Sequence, residues 1–253
     1  MHYTDIAQTH FTLNYSSGFS GKAFDITEPA TGKVLGNINA ATSDEAAAVI
    51  AKCKAAQPEW ANTTFETRAG ILRRFACQLA ENAELIHTWN ARECGSIRPK
   101  SEWELQACIE QAYMAAAQTQ APSGELYPSV IPGRKNMRVR IPVGVVGVIA
   151  PWNFPLLLAL RAVLPALATG NAVVLKPDPQ SVITGGVIIQ ELLAAAGLPE
   201  SVLGMLPGGA EPGQALVEHN DTGMIAFTGS TAVGRSIAQH CAKTFKKTSL
   251  ELG

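Results

Sequence analysis

From residue 143 to residue 250, short β-branched runs alternate with longer amphipathic stretches, and this alternation limits the chain to few folds. Val143 to Ile149 is apolar throughout, has the length of a strand and ends just before Pro151. Such two-sided apolarity needs helices on both faces of the strand. The same period continues, with strands expected at 143–149, 171–175, 202–206, 223–227 and 246–250 and helices at 156–169, 181–196, 213–219 and 231–242. It predicts an α/β fold with a doubly wound parallel (Rossmann-like) sheet, because right-handed crossovers place helices on both sides.

The preceding part reads differently. Phe24 to Ile38 predicts a hairpin turning at Glu28-Pro29-Ala30-Thr31-Gly32. Three helix starts follow, each with a capping-box pattern: Thr42 with Glu45, Thr63 with Glu66, and Ser101 with Glu104. Pro58 is expected to close the first helix, Gly95 the segment from Asn82, and Pro122-Ser123-Gly124 the long Ala/Gln-rich one. Nothing in this helical segment suggests chemistry, and its His87 and Trp89 read as packing or surface residues. Glu125 to Arg140 alternates, contains Pro128, Pro132 and Gly133, and carries Arg134, Lys135, Arg138 and Arg140. It predicts a projecting hairpin whose exposed edge invites pairing with another subunit. The expected divisions are 1–123 (hairpin and helices), 124–141 (oligomerisation hairpin) and 142–253 (dinucleotide-binding region).

A net charge of -1 gives no electrostatic footprint for nucleic acid, and Lys243, Lys246 and Lys247 read as a solvated face. Met1 to His10 lacks the basic start and apolar core of a signal peptide. The most apolar segment, Leu156 to Ala168, is interrupted by Arg161 and Pro165 and is shorter than the ~20 residues that cross a bilayer. A cytoplasmic protein with no membrane partner is expected. Five cysteines (53, 77, 94, 108, 241), odd in number and without C-x-x-C spacing, argue against a disulfide framework and against a metal site.

Neither G-x-G-x-x-G nor a Walker A loop is present. In their place Phe227-Thr228-Gly229-Ser230-Thr231 follows a predicted strand and opens a predicted helix. The free N–H groups there suit a phosphate, or this is an ordinary strand-to-helix turn with Ser230 or Thr231 as N-cap. Lys176 follows the second strand, where its ammonium suits a ribose or phosphate oxygen, or it is a solvated strand-end residue. Glu251 closes the last strand; desolvated, it would move toward the range of a general base. Asn153, held between Pro151 and Pro155 with Trp152 and Phe154, suits donation to a developing oxyanion.

Taken in order, Pro151-Trp152-Asn153-Phe154-Pro155, Lys176-Pro177, Phe227-Thr228-Gly229-Ser230 and Glu251-Leu252-Gly253 resemble the NAD(P)-dependent aldehyde dehydrogenases, from Phe24 to Gly253. The resemblance implies a small-molecule aldehyde attacked by a cysteine thiolate, Asn153 holding the oxyanion and Glu251 activating the hydrolytic water. It implies that Ile149, Trp152, Lys176, Gly229, Ser230 and Val233 line the dinucleotide, and that 124–141 serves homo-oligomerisation. The family's nucleophile lies beyond the position of Gly253, and Cys241 lacks its motif. The catalytic cysteine domain is therefore expected to be absent and the chain inactive alone, which leaves a non-catalytic dinucleotide-binding or subunit-pairing module as the alternative. The last strand is expected to expose an unpaired edge that favours self-association. Pro179 replaces the glutamate that NAD-preferring relatives place three residues after the lysine, so NAD is expected with NADP open, and Ala210 replaces a further glycine. Lys176-Pro177-Asp178-Pro179 and Gly185-Gly186 look most like the benzaldehyde and vanillin dehydrogenases, implying an aromatic aldehyde.

Overall fold

A computed structural model describes residues 13–14 and 18–253. In chain order the elements are β1 (Leu13–Asn14), β2 (Ala23–Thr27), β3 (Val34–Asn39), α1 (Ser43–Asn62), α2 (Phe65–Glu81), α3 (Ala83–Cys94), α4 (Arg98–Gln118), β4 (Gly124–Pro128), β5 (Lys135–Val139), β6 (Val145–Ile149), α5 (Pro155–Ala168), β7 (Ala172–Lys176), α6 (Ile188–Ala195), β8 (Leu203–Met205), α7 (Ala210–Glu218), β9 (Thr222–Gly229), α8 (Thr231–Lys243) and β10 (Lys247–Leu252). The central sheet is wholly parallel, in the order β10-β9-β6-β7-β8. The chain enters at β6, steps outward through β7 and β8, and returns to place β9 on the other side of β6. The reversal of direction between β6 and β9 opens a crevice at their C-terminal ends.

The two-sided apolarity of the strands divides between two cores. Val146, Val148, Val173 and Leu175 face α5, α6 and the layer made by α2, α3 and α4. Val145, Ala172 and Val174 face the other way, against Ile50 and Cys53 of α1, Leu216 of α7 and Ile237 of α8. The N-terminal hairpin forms as expected, with Gly32 in the left-handed region at φ 71. The β4–β5 ribbon is exposed along both strands, as the alternation of Glu125 to Arg140 suggested. No helix among the described residues is long and apolar enough to cross a membrane.

Local signals fail at several helix ends. Helix α1 runs through Pro58 to Asn62. Its last turn is held by Trp60, whose indole donates to the Leu167 carbonyl at 3.1 Å, and by Gln57, which donates to the Gly170 carbonyl at 2.9 Å. Thr63 commits its hydroxyl to the Trp60 carbonyl, so Thr64, one residue later, caps α2 by accepting from the Thr67 N–H. The helix expected at 181–196 begins instead as a 3₁₀ turn (Pro179–Ser181) and a π-helical turn (Ile183–Val187). There the backbone passes so close to its neighbours that a Cβ on Gly186 would sit 2.7 Å from the Met205 sulfur and 2.8 Å from Pro177 Cγ. Helix α7 starts at Ala210, three residues early, because Pro212 falls in its first turn, where no intrahelical N–H is needed. Lys246 is not on a solvated face: it donates to the carbonyls of Val217 (2.5 Å) and His219 (2.8 Å), closing the end of α7.

The third expected capping box does not form. Ser101 lies inside α4, buried, and bonds His87 Nδ1 at 2.7 Å, while Glu104 reaches another helix altogether. Its Oε1 accepts the N–H groups of Leu156 (3.0 Å) and Leu157 (3.1 Å), the first turn of α5. Its Oε2 accepts from Asn90 at 2.8 Å and from Lys100 at 3.3 Å. Glu93 of α3 does the same for the segment before α6, accepting from the N–H groups of Ile183 and Thr184, both at 2.7 Å, and from the Thr184 hydroxyl at 2.8 Å. Burial pushes the Glu93 carboxyl up to about 7 from 4.5, against those three donors.

A carboxyl raised in the folded state binds more protons folded than unfolded between pH 4.5 and about 7, so its contribution is complete below that window and lost above it. In urea titrations at pH 4.5 and 7.5, the unfolding free energy of the parent chain minus that of Glu93→Gln is expected to fall by up to ~3 kcal/mol. A difference independent of pH refutes the assignment.

Candidate active site

A cleft of about 820 Å³ opens at the C-terminal ends of β6, β7 and β9, where the direction of winding reverses. It contains six of the residues singled out in the sequence: Ile149, Trp152, Lys176, Gly229, Ser230 and Val233. Lys176 ends β7 and is only 7% exposed, which excludes a solvated strand end. Its ammonium forms no hydrogen bond or ion pair among the described residues, and burial lowers its pKa below the ordinary lysine value, partly offset by Asp178. Burying a cation without a bonded anion is costly. Helix α8 supplies the second element: its N-terminus opens into the same cleft, and Ser230 is its N-cap, accepting a long 3.4 Å bond from the Val233 N–H. Of the two candidate N-caps, Ser230 and Thr231, the structure selects Ser230.

Sequence reasoning noted Ala210 at the start of α7 but did not count Gly209 and Gly213 among the site residues. Gly209 has open space where a Cβ would stand, and Gly213 lies beside the stem of Lys176. Their signal was the Pro207-Gly208-Gly209 run after a strand. Gly229 is fixed by packing, since a Cβ there would fall 2.6 Å from the Phe227 ring.

A second cleft, of about 910 Å³, lies on the opposite face of β9 and β10 and contains Glu251, Arg161, Arg140 and Lys247. Ile149, Phe227 and Thr228 belong to both clefts, so the two meet at the switch point of the sheet. Glu251 pairs with Thr228 across the β9–β10 ladder and is exposed, so the desolvation envisaged from sequence is not provided by the described residues. Asn153 lies in the bend between β6 and α5, exposed, with no side-chain hydrogen bond among the described residues, and lines neither cleft. None of the five cysteines lines either cleft; burial pushes Cys53 up to about 12 and raises Cys94, Cys108 and Cys241 as well.

Residues 15–253 match the model of the aldehyde dehydrogenase family. The chain belongs to that family. It is 48% identical to the benzaldehyde dehydrogenase (NAD(+)) of Pseudomonas putida over 96% of its length, and 45% identical to the vanillin dehydrogenase of an Amycolatopsis species, also over 96%. It covers 50% of each of those proteins, so it spans about half the length of the relatives it matches. Among solved structures, the NAD-dependent benzaldehyde dehydrogenase of Corynebacterium glutamicum superposes with a TM-score of 0.89 at 37% identity, over 92% of this chain and 51% of that one. The betaine aldehyde dehydrogenase of Staphylococcus aureus in complex with NAD+ superposes with a TM-score of 0.88 at 29% identity, over 92% of this chain and 46% of that one.

Because Lys176 is buried without a bonded partner among the described residues, removing its charge is expected to stabilise the protein. Lys176→Met should raise the unfolding free energy by ~1 kcal/mol in urea titrations without ligand, because the apolar stem is kept while the unpaired charge is lost. A destabilised variant would mean that Lys176 has a structural partner.

Proposed function

We propose that this chain is the part of an NAD-dependent dehydrogenase of aromatic aldehydes that holds the cofactor and supplies the oxyanion donor and the general base. The observation that carries this reading is the convergence of an unpaired buried ammonium and a helix N-terminus on one cleft, which meets a second, carboxylate-bearing cleft at the switch point of the sheet. The residues present fit a dinucleotide. Lys176 meets ribose or phosphate oxygens, the start of α8 with Gly229 and Ser230 meets the phosphates, and Ile149, Trp152 and Val233 form the apolar walls. Asp178 lines the same cleft close to Lys176, and its carboxylate opposes a ribose 2′-phosphate, which favours NAD over NADP. When bound, the nicotinamide accepts the hydride.

The chain's own residues then have separate tasks. Asn153 donates its amide N–H to the aldehyde oxygen as negative charge develops there. Glu251 takes a proton from the water that hydrolyses the acyl group. The group that attacks the aldehyde carbon does not come from the five cysteines of this chain, all outside the clefts, so the chain alone binds the cofactor without turning over. The aromatic preference rests on the benzaldehyde and vanillin dehydrogenase relatives.

The test is NADH formation from benzaldehyde. The 253-residue chain alone is expected to give none, and its fusion to the half of the Pseudomonas putida enzyme that it does not span is expected to give turnover. In the fusion, Asn153→Ala should lower kcat by ~10²–10³ with the dissociation constant for NAD unchanged. Lys176→Met should weaken NAD binding by about tenfold or more. Turnover by the chain alone would place a nucleophile within it. NAD affinity indifferent to Lys176→Met would remove the cofactor from this cleft.

A further inference from the structure

Helix α5 begins immediately after Asn153-Phe154, and Phe154, its N-cap residue, has no side-chain acceptor to offer. The first helical residue, Pro155, has no N–H, so the two donors that a cap normally satisfies are those of Leu156 and Leu157. Both go to one oxygen of Glu104, at 3.0 and 3.1 Å, from a helix 52 residues earlier in the chain. Glu104 is fully buried. Two further residues of the same face of α4 grip the cap residue: the Trp103 ring meets the Phe154 ring edge-on at 5.8 Å, and the Lys100 ammonium lies 4.2 Å from its centroid. An asparagine beside a helix start is ordinarily drawn into capping. Here an outside carboxylate satisfies those donors, and the Asn153 amide stays without a hydrogen bond among the described residues, in the bend between β6 and α5.

We propose that Glu104 is a positioning residue for Asn153: by capping α5 from outside it fixes the Asn153-Phe154-Pro155 bend and leaves the Asn153 amide uncommitted. The inference rests on the reading of Asn153 as oxyanion donor given above. Without the carboxylate, the donors of Leu156 and Leu157 compete for another acceptor, and Asn153, three residues before Leu156, carries the nearest side-chain oxygen preceding them in the chain.

The test is a double-mutant cycle in the active fusion, with Glu104→Gln, Asn153→Ala and the pair. The glutamine keeps an acceptor oxygen and the shape of the side chain but loses the charge that faces Asn90 and Lys100. Glu104→Gln is expected to lower kcat by ~10-fold, to change kcat by less than twofold when Asn153 is already alanine, and to leave the dissociation constant for NAD within twofold. In the 253-residue chain the same substitution should speed amide hydrogen exchange at Leu156 and Leu157 by ~10-fold while β7 is unaffected. An equal slowing in both backgrounds would show a general effect on the fold and overturn the proposal, as would an unchanged kcat or unchanged exchange. If Asn153→Ala leaves kcat intact, the oxyanion reading itself falls and the positioning role with it. The exchange measurement still reports whether Glu104 caps α5.

Discussion

Helix α5 and the segment leading into α6 both begin without a capping side chain that reaches their buried first-turn N–H groups, and the rest of the structure depends on how those groups are satisfied. Unpaired, each such donor costs about 1–3 kcal/mol in a dry core. Glu104 and Glu93, from neighbouring helices of the outer layer, each take two backbone donors. The carboxylates also face the positive ends of the helix dipoles, which compensates part of the desolvation of placing them there. The N-terminal helices are therefore more than packing on a dinucleotide fold. They complete the two helices that follow β6 and β7, so they hold the strand ends from which Asn153 and Lys176 project.

That support lets the cleft keep an arrangement that does not favour the empty protein. Lys176 is buried with no bonded anion, and the first turn of α8 is capped only by a long bond from Val233 to Ser230. Both features are unfavourable in isolation, and both would be relieved by the dinucleotide proposed above. Stability is thus concentrated behind the strand ends, in the apolar core and the two buried carboxylates, and withheld from the cleft surface.

The separation of the two clefts has a chemical meaning. Ile149, Phe227 and Thr228 form a wall common to both, with Lys176 on one side and Glu251 on the other. A parallel sheet provides this geometry at the one place where its winding reverses, because only there do two adjacent strand ends lack a crossover passing between them. Among the described residues, Glu251 lies on β10, the last strand in the sheet order on that side.

The sequence by itself determined the strand–helix alternation, the early hairpin, the projecting β4–β5 ribbon and the strand-end positions of Asn153, Lys176, Ser230 and Glu251. Each of these is written in contiguous residues: β-branched runs, glycines at turns, prolines beside an asparagine. Only the tertiary structure decided that α1 passes through Pro58, that Thr64 rather than Thr63 caps α2, that Ser101 and Glu104 form no capping box, that Lys246 closes α7 and that Lys176 is buried. For Trp60, Glu104 and Lys246 the physical reason is the same. A hydroxyl, carboxylate or ammonium bonds the best donor or acceptor within reach, and in a folded chain that group lies in a distant segment, as Leu167 does for Trp60 and Leu156 does for Glu104. Short-range pattern fixes which element forms, whereas the assignment of polar partners, and with it the free state of the Asn153 amide, waits until the elements have packed.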